Sequence, residues 1–111
     1  MQNFAPIALF VYNRPEHTRR TLKFLQQNLL ADESRLFIFS DGAKPGDEAA
    51  VAEVRELIKG IHGFKAVEIV NSDQNLGLAN SIIAGVTKLC NEYGKAIVFE
   101  DEPDCHRRPG Y

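Results

Sequence analysis

The sequence predicts an α/β fold built on a mostly parallel sheet. Four short apolar segments begin about thirty residues apart, which is the length of one strand plus a crossover helix. Segments with helical spacing of apolar residues lie between them. This alternation is typical of parallel strands joined by right-handed crossovers. The predicted strands are residues 7–12, 36–39, 66–70 and 96–99.

Three of these strands are also expected to be covered on both faces. The first, second and fourth are apolar throughout, whereas the third contains Glu68. Continuous apolar strands are characteristic of parallel sheets that are buried on both sides. The sequence therefore predicts helices above and below the sheet.

The three predicted helices have recognisable beginnings and ends. Pro15 opens the first, because the first helical residue needs no N–H partner. Asp47 is a candidate cap for the second, and the third runs from about residue 77 to 93. Glycines supply the predicted ends, Gly60 or Gly63 for the second helix and Gly94 for the third. The predicted apolar faces carry Leu22, Leu25 and Leu29, then Val51, Val54, Leu57, Ile58 and Ile61, then Leu78, Ile82, Val86 and Leu89.

Composition and charge argue against several classes of protein. With 111 residues, 44% of them hydrophobic and 25% charged, the chain has the length of one globular domain. Its net charge of −2 offers no basic field for nucleic acid or an anionic membrane. No apolar stretch approaches the ~20 residues of a membrane span, and residues 1–12 lack the basic start of a signal peptide. Cys90 and Cys105 form no C-x-x-C pair, so a cytoplasmic location is expected, with Cys90 buried in its helix.

Polar segments follow all four predicted strands. In open parallel sheets, ligands bind at the carboxyl ends of the strands, where the strand order reverses. We therefore expect the functional residues in these segments and close together. They are residues 12–15, 40–43, 71–80 and 100–104.

The last of these segments, residues 100–104, contains four carboxylates. Neighbouring carboxylates repel one another, and a hard divalent cation that also bridges to phosphates relieves the repulsion. A solvated acidic loop is the alternative interpretation. The position directly after an apolar strand favours the cation.

The other segments offer partners for a nucleotide. Arg14 stands beside a helix start, where both the guanidinium and the backbone amides favour phosphate, although a surface arginine is the simpler interpretation. Asp41 can accept a hydrogen bond from a base or ribose, or can cap a turn. Gly77 opens the third helix and lets the backbone approach a ligand closely, or is an ordinary helix entry.

Read in order, these segments resemble the GT-A glycosyltransferases, especially the inverting enzymes of family 2 and the related N-acetylglucosaminyltransferases. The resemblance covers about residues 6–102. It implies an incomplete Rossmann-like, three-layer α/β/α domain of the type that transfers sugars from nucleoside diphosphates. The matching segments are residues 6–15, 40–42, 75–79 and 98–102.

The resemblance also implies a site for a nucleoside-diphosphate sugar. The main chain of Val11 and Tyr12 would line the base, Arg14 would lie near the base or diphosphate, and Asp41 would hydrogen-bond the base. No catalytic residue is implied within this chain. The residues implied to bind the nucleotide sugar are Val11, Tyr12, Arg14, Asp41, Asn75, Gly77, Glu100 and Asp101.

A divalent cation, Mn²⁺ or Mg²⁺, is implied as the cofactor. Residues 100–102 occupy the place of the acidic triplet of the family, with Asp101 and Glu102 as the metal ligands. The ion would offset the charge on the departing diphosphate. The third acidic position departs from the usual pattern, because relatives most often have aspartate where Glu102 stands.

The end of the chain departs further from the family. Residues 103–111 resemble nothing expected at this point, and the acceptor-binding half with its general base does not follow. The expected organisation is thus a partial domain over residues 1–102 and a disordered or non-family tail over 103–111. We expect little or no transferase activity from this chain alone, and self-association through an exposed sheet edge.

Two other hypotheses remain open. A receiver-like signalling domain has a similar size and layout, but it needs acidic residues after the first strand, where Asn13 and Arg14 stand, and a phosphoacceptor aspartate after the third. A non-catalytic interaction domain would have solvated loops at the same strand ends.

Overall fold

The computed structural model describes residues 5–27 and 31–100. Predictions for Leu29, Asp101, Glu102, Cys105 and the tail fall outside these residues. The strands are β1 (Ile7–Val11), β2 (Arg35–Ser40), β3 (Ala66–Asn71) and β4 (Ile97–Glu100); the α-helices are α1 (Pro15–Gln26), α2 (Glu48–Lys59) and α3 (Leu78–Tyr93), with a short 3-10 helix at Ala31–Glu33.

The four strands form one parallel sheet in the order β3-β2-β1-β4. The predicted α/β fold with a parallel sheet is confirmed. Successive units add β2 and β3 on one side of β1, and the chain then returns to place β4 on the other side. The strand order therefore reverses beside β1, and a ligand site is expected at the carboxyl end of this strand.

Helices α1 and α2 pack against one face of the sheet. Alternate residues of β1 point to this face, because successive side chains of a strand point in opposite directions. The resulting cluster contains Ile7, Leu9, Val11, Leu36 and Ile38 from the strands, and Leu22, Leu25, Val54 and Ile58 from the helices.

Helix α3 packs against the other face through a second cluster. The helix comes close to the sheet at Gly85, where an added Cβ would lie 2.8 Å from Cζ of Phe10. The aromatic rings of Phe10 and Phe39 stack beneath it with centroids 4.9 Å apart. The buried members of the cluster are Ala8, Phe10, Phe37 and Leu89, with Phe39, Ile82, Val86 and Ala96 partly buried around them.

Two burial predictions are wrong. Strand β4 is at the edge of the described sheet, so Ile97 and Val98 remain 47% and 40% exposed instead of being covered on both faces. Cys90 is exposed as well, because it lies outside the face of α3 that carries Ile82, Val86 and Leu89 against the sheet. An apolar strand or a cysteine in a helix indicates burial only when another element covers it.

The helix ends agree with the sequence, with one difference. Pro15 is the first residue of α1, Gly60 follows α2, and Gly94 ends α3 in the left-handed conformation with its N–H donated to the carbonyl of Cys90. Asp47 occupies the cap position of α2, but its side chain makes no capping hydrogen bond. It accepts a hydrogen bond from Tyr12 instead. Within the described ranges, no helix has the length and apolar character of a membrane span.

Candidate functional site

A cleft of about 250 Å³ lies at the carboxyl end of β1, between the loops that follow β1, β2 and β3. Helix α3 begins at its border. Three separate segments of the chain therefore contribute to one cavity. Six of the residues predicted to bind a nucleotide sugar line it: Val11, Tyr12, Arg14, Asp41, Asn75 and Gly77.

Further lining residues were not predicted as ligand contacts. Phe10 and Phe39 contribute the apolar part of the lining, and Lys44 and Ser81 contribute polar groups. Lys44 stands in the loop after β2, and Ser81 lies one helical turn beyond Gly77. The strand-end position was thus the signal that could have identified Lys44. The lining also includes Asn13 and Leu78.

The carboxylate of Asp41 is at the centre of a hydrogen-bond network within the chain. Its Oδ1 accepts the backbone N–H groups of Gly42 and Leu76, both at 2.8 Å. Its Oδ2 accepts the N–H of Gly77 at 2.9 Å and the side-chain amide of Asn75 at 3.2 Å. A carboxylate offers about four lone-pair sites, so the chain's own donors already use the acceptor capacity that was predicted to serve the base.

Gly42 allows the loops after β2 and β3 to approach closely. Its N–H donates to the carbonyl of Gln74 at 3.3 Å. A Cβ at this position would lie 2.6 Å from the carbonyl carbon of Gln74, closer than real Cβ atoms come to backbone. In the sequence Ser40-Asp41-Gly42, the carboxylate of Asp41 therefore binds the loop after β3, and Gly42 leaves the space that this loop needs.

Arg55, which sequence reasoning missed, holds the same strand ends from α2. Its Nε donates to Oγ of Ser40 at 2.9 Å, and Nη2 donates to the carbonyls of Ser40, Asp41 and Ser72 at 2.9–3.2 Å. Position 55 lies four residues after the buried Val51. A charged residue on the apolar face of a helix was thus the available signal.

Tyr12 joins the loop after β1 to the loop before α2. Its hydroxyl donates to Oδ2 of Asp47 at 2.8 Å and accepts the backbone N–H of Lys44 at 2.9 Å. Burial raises the pKa of Tyr12 above its ordinary value of 10.0, and the nearby Asp47 carboxylate adds to the increase. The hydroxyl is therefore held as a neutral donor at neutral pH.

The charged side chains of the cleft favour an anion. Arg14 and Lys44 are both exposed, and neither takes part in an ion pair with another described residue. The one carboxylate in the lining, that of Asp41, is surrounded by N–H donors. Within the part of the chain that the structure describes, two cations without an ion-pair partner therefore face a cavity in which the one acidic lining group is already hydrogen-bonded.

The predicted metal site is described only in part. Glu100 pairs in register with Phe10 at the carboxyl end of β4, where it is exposed and does not line the cleft. Asp101 and Glu102 lie outside the described residues. Among residues 5–27 and 31–100, no three metal-ligating side chains come together.

Comparisons with protein-family models, with curated proteins and with solved structures found no match to this chain. The functional argument therefore depends on the geometry and chemistry of the cleft.

Proposed function

We propose that this chain binds a nucleoside-diphosphate sugar in the cleft at the end of β1, as the donor-binding part of a GT-A-type glycosyltransferase. The observation that carries the proposal is the meeting of Arg14, Asp41 and Asn75, from three separate strand-end loops, in one cavity. The sequence predicts all three residues as contacts of a nucleotide sugar. They are far apart along the chain, so only the fold brings them together.

The lining suits the two chemically different parts of a nucleotide. Phe39, which is only partly buried and is supported by the buried ring of Phe10, offers aromatic surface of the kind that receives a base. Arg14 and Lys44 offer the charge that a diphosphate requires. The volume of about 250 Å³ is slightly below the roughly 300–1,000 Å³ of common ligand pockets, so the base and ribose would occupy the cleft and the sugar would extend beyond it.

The fold is compatible with the proposal. The order β3-β2-β1-β4 corresponds to the first four strands of the doubly wound order 3-2-1-4-5-6, in which nucleotides bind at the reversal point. A receiver-like domain would instead place β1 between β2 and β3, as in the order 2-1-3-4-5. Helices on the two faces of the sheet fit a three-layer α/β/α domain of the GT-A type.

A divalent cation is part of the proposal through the acidic triplet at residues 100–102. Glu100, the one member of this triplet within the described residues, is exposed at the carboxyl ends of the strands, where the cleft also lies. Its carboxylate is a ligand of the kind that Mn²⁺ and Mg²⁺ prefer. A bound cation would supply charge stabilisation to the diphosphate.

Calorimetric titration with uridine and guanosine diphosphate sugars, with and without Mn²⁺, tests the proposal. We expect binding that Mn²⁺ strengthens. Replacing Arg14 or Lys44 by Gln should weaken it about tenfold, because each change removes a charge-assisted hydrogen bond to phosphate.

Matched controls are available at the opposite end of the sheet. Arg35 begins β2 and Lys65 precedes β3, so both exposed cations lie away from the cleft. The variants Arg35→Gln and Lys65→Gln should bind as the wild type does. The proposal is wrong if no nucleotide sugar binds under either condition, or if the control variants lose as much affinity as the cleft variants.

A further inference from the structure

We infer that Asp41 is a positioning residue, which fixes residues 75–77 as one wall of the cleft and does not itself contact the nucleotide. The inference rests on the proposed nucleotide-binding function for its consequence, but the geometry that supports it is independent of any ligand. It assigns Asp41 a role different from the base contact that the resemblance implies.

The bonding of the carboxylate is the first argument. Asp41 is only 8% exposed, and each of its oxygens accepts two N–H groups from its own chain. Three of these four donors come from residues 75–77, which lie 34 to 36 positions further along the chain. A base could gain a hydrogen bond from this group only by displacing one of these donors.

The second argument is that, among the described residues, the other hydrogen bonds of Leu76 and Gly77 run to α3 and not to the loop after β2. The side-chain amide of Asn80 donates to the carbonyl of Leu76 at 2.9 Å, and the N–H of Ser81 donates to the carbonyl of Gly77 at 3.0 Å. Leu76 is 43% exposed, and an added Cβ at Gly77 would meet no atom within 4 Å. Gly77 has a φ of +85°, a backbone conformation that is strained for residues other than glycine.

The side chain of Asn75 adds one further bond, to the carbonyl of Gly42 at 2.8 Å. Among the described residues, the Asp41 carboxylate therefore accepts three of the hydrogen bonds that join residues 75–77 to the loop after β2, and the carbonyl of Gly42 accepts the fourth.

The two roles predict different behaviour for Asp41→Asn. The amide keeps the shape of the carboxylate but replaces one acceptor oxygen by an NH₂ group. The two N–H groups that donated to this oxygen then face a donor and lose their hydrogen bonds. If Asp41 positions the wall, residues 75–77 loosen and every nucleotide loses affinity alike. If Asp41 reads the base, the preference among bases changes while the wall stays in place.

Hydrogen exchange followed by NMR measures the wall directly, without a ligand. We expect Asp41→Asn to raise the exchange rates of the Leu76 and Gly77 amides at least about tenfold, because one of the two amides loses its acceptor oxygen, the other keeps only an uncharged acceptor, and the wall that contains both loosens. Asp73→Asn makes the same chemical change at an exposed position of the same loop. This control should leave both rates at the wild-type value.

Titration with uridine, guanosine, cytidine and adenosine diphosphates in the presence of Mn²⁺ then separates positioning from base recognition. Asp41→Asn should weaken all nucleotides that the wild type binds by one common factor of about ten. Ile58→Val destabilises the core near the end of α2, away from the loop after β2 that borders the cleft, and at a temperature where both proteins are folded it should change the affinities less than about twofold. A purely structural role for Asp41 would make the two variants alike.

Asn75→Ala provides a second test if Asp41→Asn does not fold. It removes a single donor to the carboxylate, so exchange at Leu76 and Gly77 should rise by a smaller factor, again with an equal loss for each nucleotide. Unchanged exchange at these two amides combined with altered base preference would overturn the inference. If the wild type binds none of the four nucleotides, the proposed function fails, whereas the exchange rates still decide the role of Asp41.

Discussion

At the scale of single residues, the cleft depends on a few polar groups that each join two loops. Tyr12 is the clearest case outside the Asp41 network, because one hydroxyl both donates to Asp47 and accepts from the backbone of Lys44. The contribution of this group should be measurable by itself, since both of its partners lie more than 30 residues away.

Replacing Tyr12 by Phe should lower the free energy of unfolding by about 1 kcal/mol at pH 8, the usual net value of such hydrogen bonds. Folding raises the pKa of this hydroxyl above 10.0, so the stabilisation is complete below pH 10 and is lost as the pH rises through the raised value. Urea unfolding of both proteins between pH 8 and 11 should show a difference that shrinks above pH 10.

Tyr93→Phe is the matched control for this experiment. Tyr93 is 39% exposed and contacts Phe37 through its ring, which Phe would preserve. We expect its unfolding free energy to stay within about 0.5 kcal/mol of the wild-type value. A constant difference between Tyr12→Phe and the wild type across the whole pH range would contradict the assigned role of the hydroxyl.

At the scale of elements, the position of α3 on the sheet is set by one glycine. A Cβ at residue 85 would lie 2.8 Å and 2.9 Å from two ring carbons of Phe10 and 3.1 Å from Phe39. Phe10 is 2% exposed and stacked on Phe39, so the ring cannot turn away freely. Close packing of α3 therefore requires glycine here, and the same two rings line the cleft.

Gly85→Ala should lower the free energy of unfolding by roughly 1–3 kcal/mol, the usual cost of overpacking a core, although alanine favours helix more than glycine does. Denaturant titration measures the change. At Gly60, directly after α2, a Cβ would meet nothing within 4 Å, so Gly60→Ala should cause no loss. Equal stability of Gly85→Ala and the wild type would show that α3 can move away from the sheet without cost.

The elements themselves could be predicted from the sequence because their signals are local. Pro15 and Gly94 mark helix ends by their own backbone preferences, and the predicted strands differ from the observed ones by one residue or less at each end. The exposure of Cys90 and of β4 could not be predicted in this way. It depends on which strand is at the edge, and the order of strands is a long-range property.

The candidate site shows the same division. Arg14 and Asn75 could be chosen because they follow strands, and the structure places both at the cleft. The partners of Asp41 could not be read from the sequence, because they come from a loop 34 to 36 residues away. Arg55 was overlooked although it lies on the apolar face of α2, where a charge needs buried acceptors.

At the scale of the whole molecule, the β4 side of the sheet carries exposed apolar surface. Ile97 and Val98 are about half exposed, Ile83 on α3 is 64% exposed, and within the described residues β4 pairs with β1 alone. Apolar strands at a sheet edge favour association with another chain. The expectation of self-association therefore has a defined location.

Val98→Lys should reduce self-association, because a charge on an edge strand opposes strand pairing. Sedimentation velocity over a range of concentrations measures the effect, and we expect the variant to stay nearer to the monomer. Asn71→Lys adds the same charge at an exposed position of β3, the other edge strand, and should sediment as the wild type does. Identical sedimentation of Val98→Lys and the wild type would exclude β4 as the contact.

The return of the chain to the far side of β1 also has a consequence for biosynthesis. β1 is complete at residue 11, whereas its neighbour β4 is complete only at residue 100. At a translation speed of about 5–20 residues per second, one flank of the first strand stays without its partner for roughly 4–18 s. During this interval the nascent polypeptide exposes backbone groups on that side of β1, with which a chaperone or a second copy of the chain could pair.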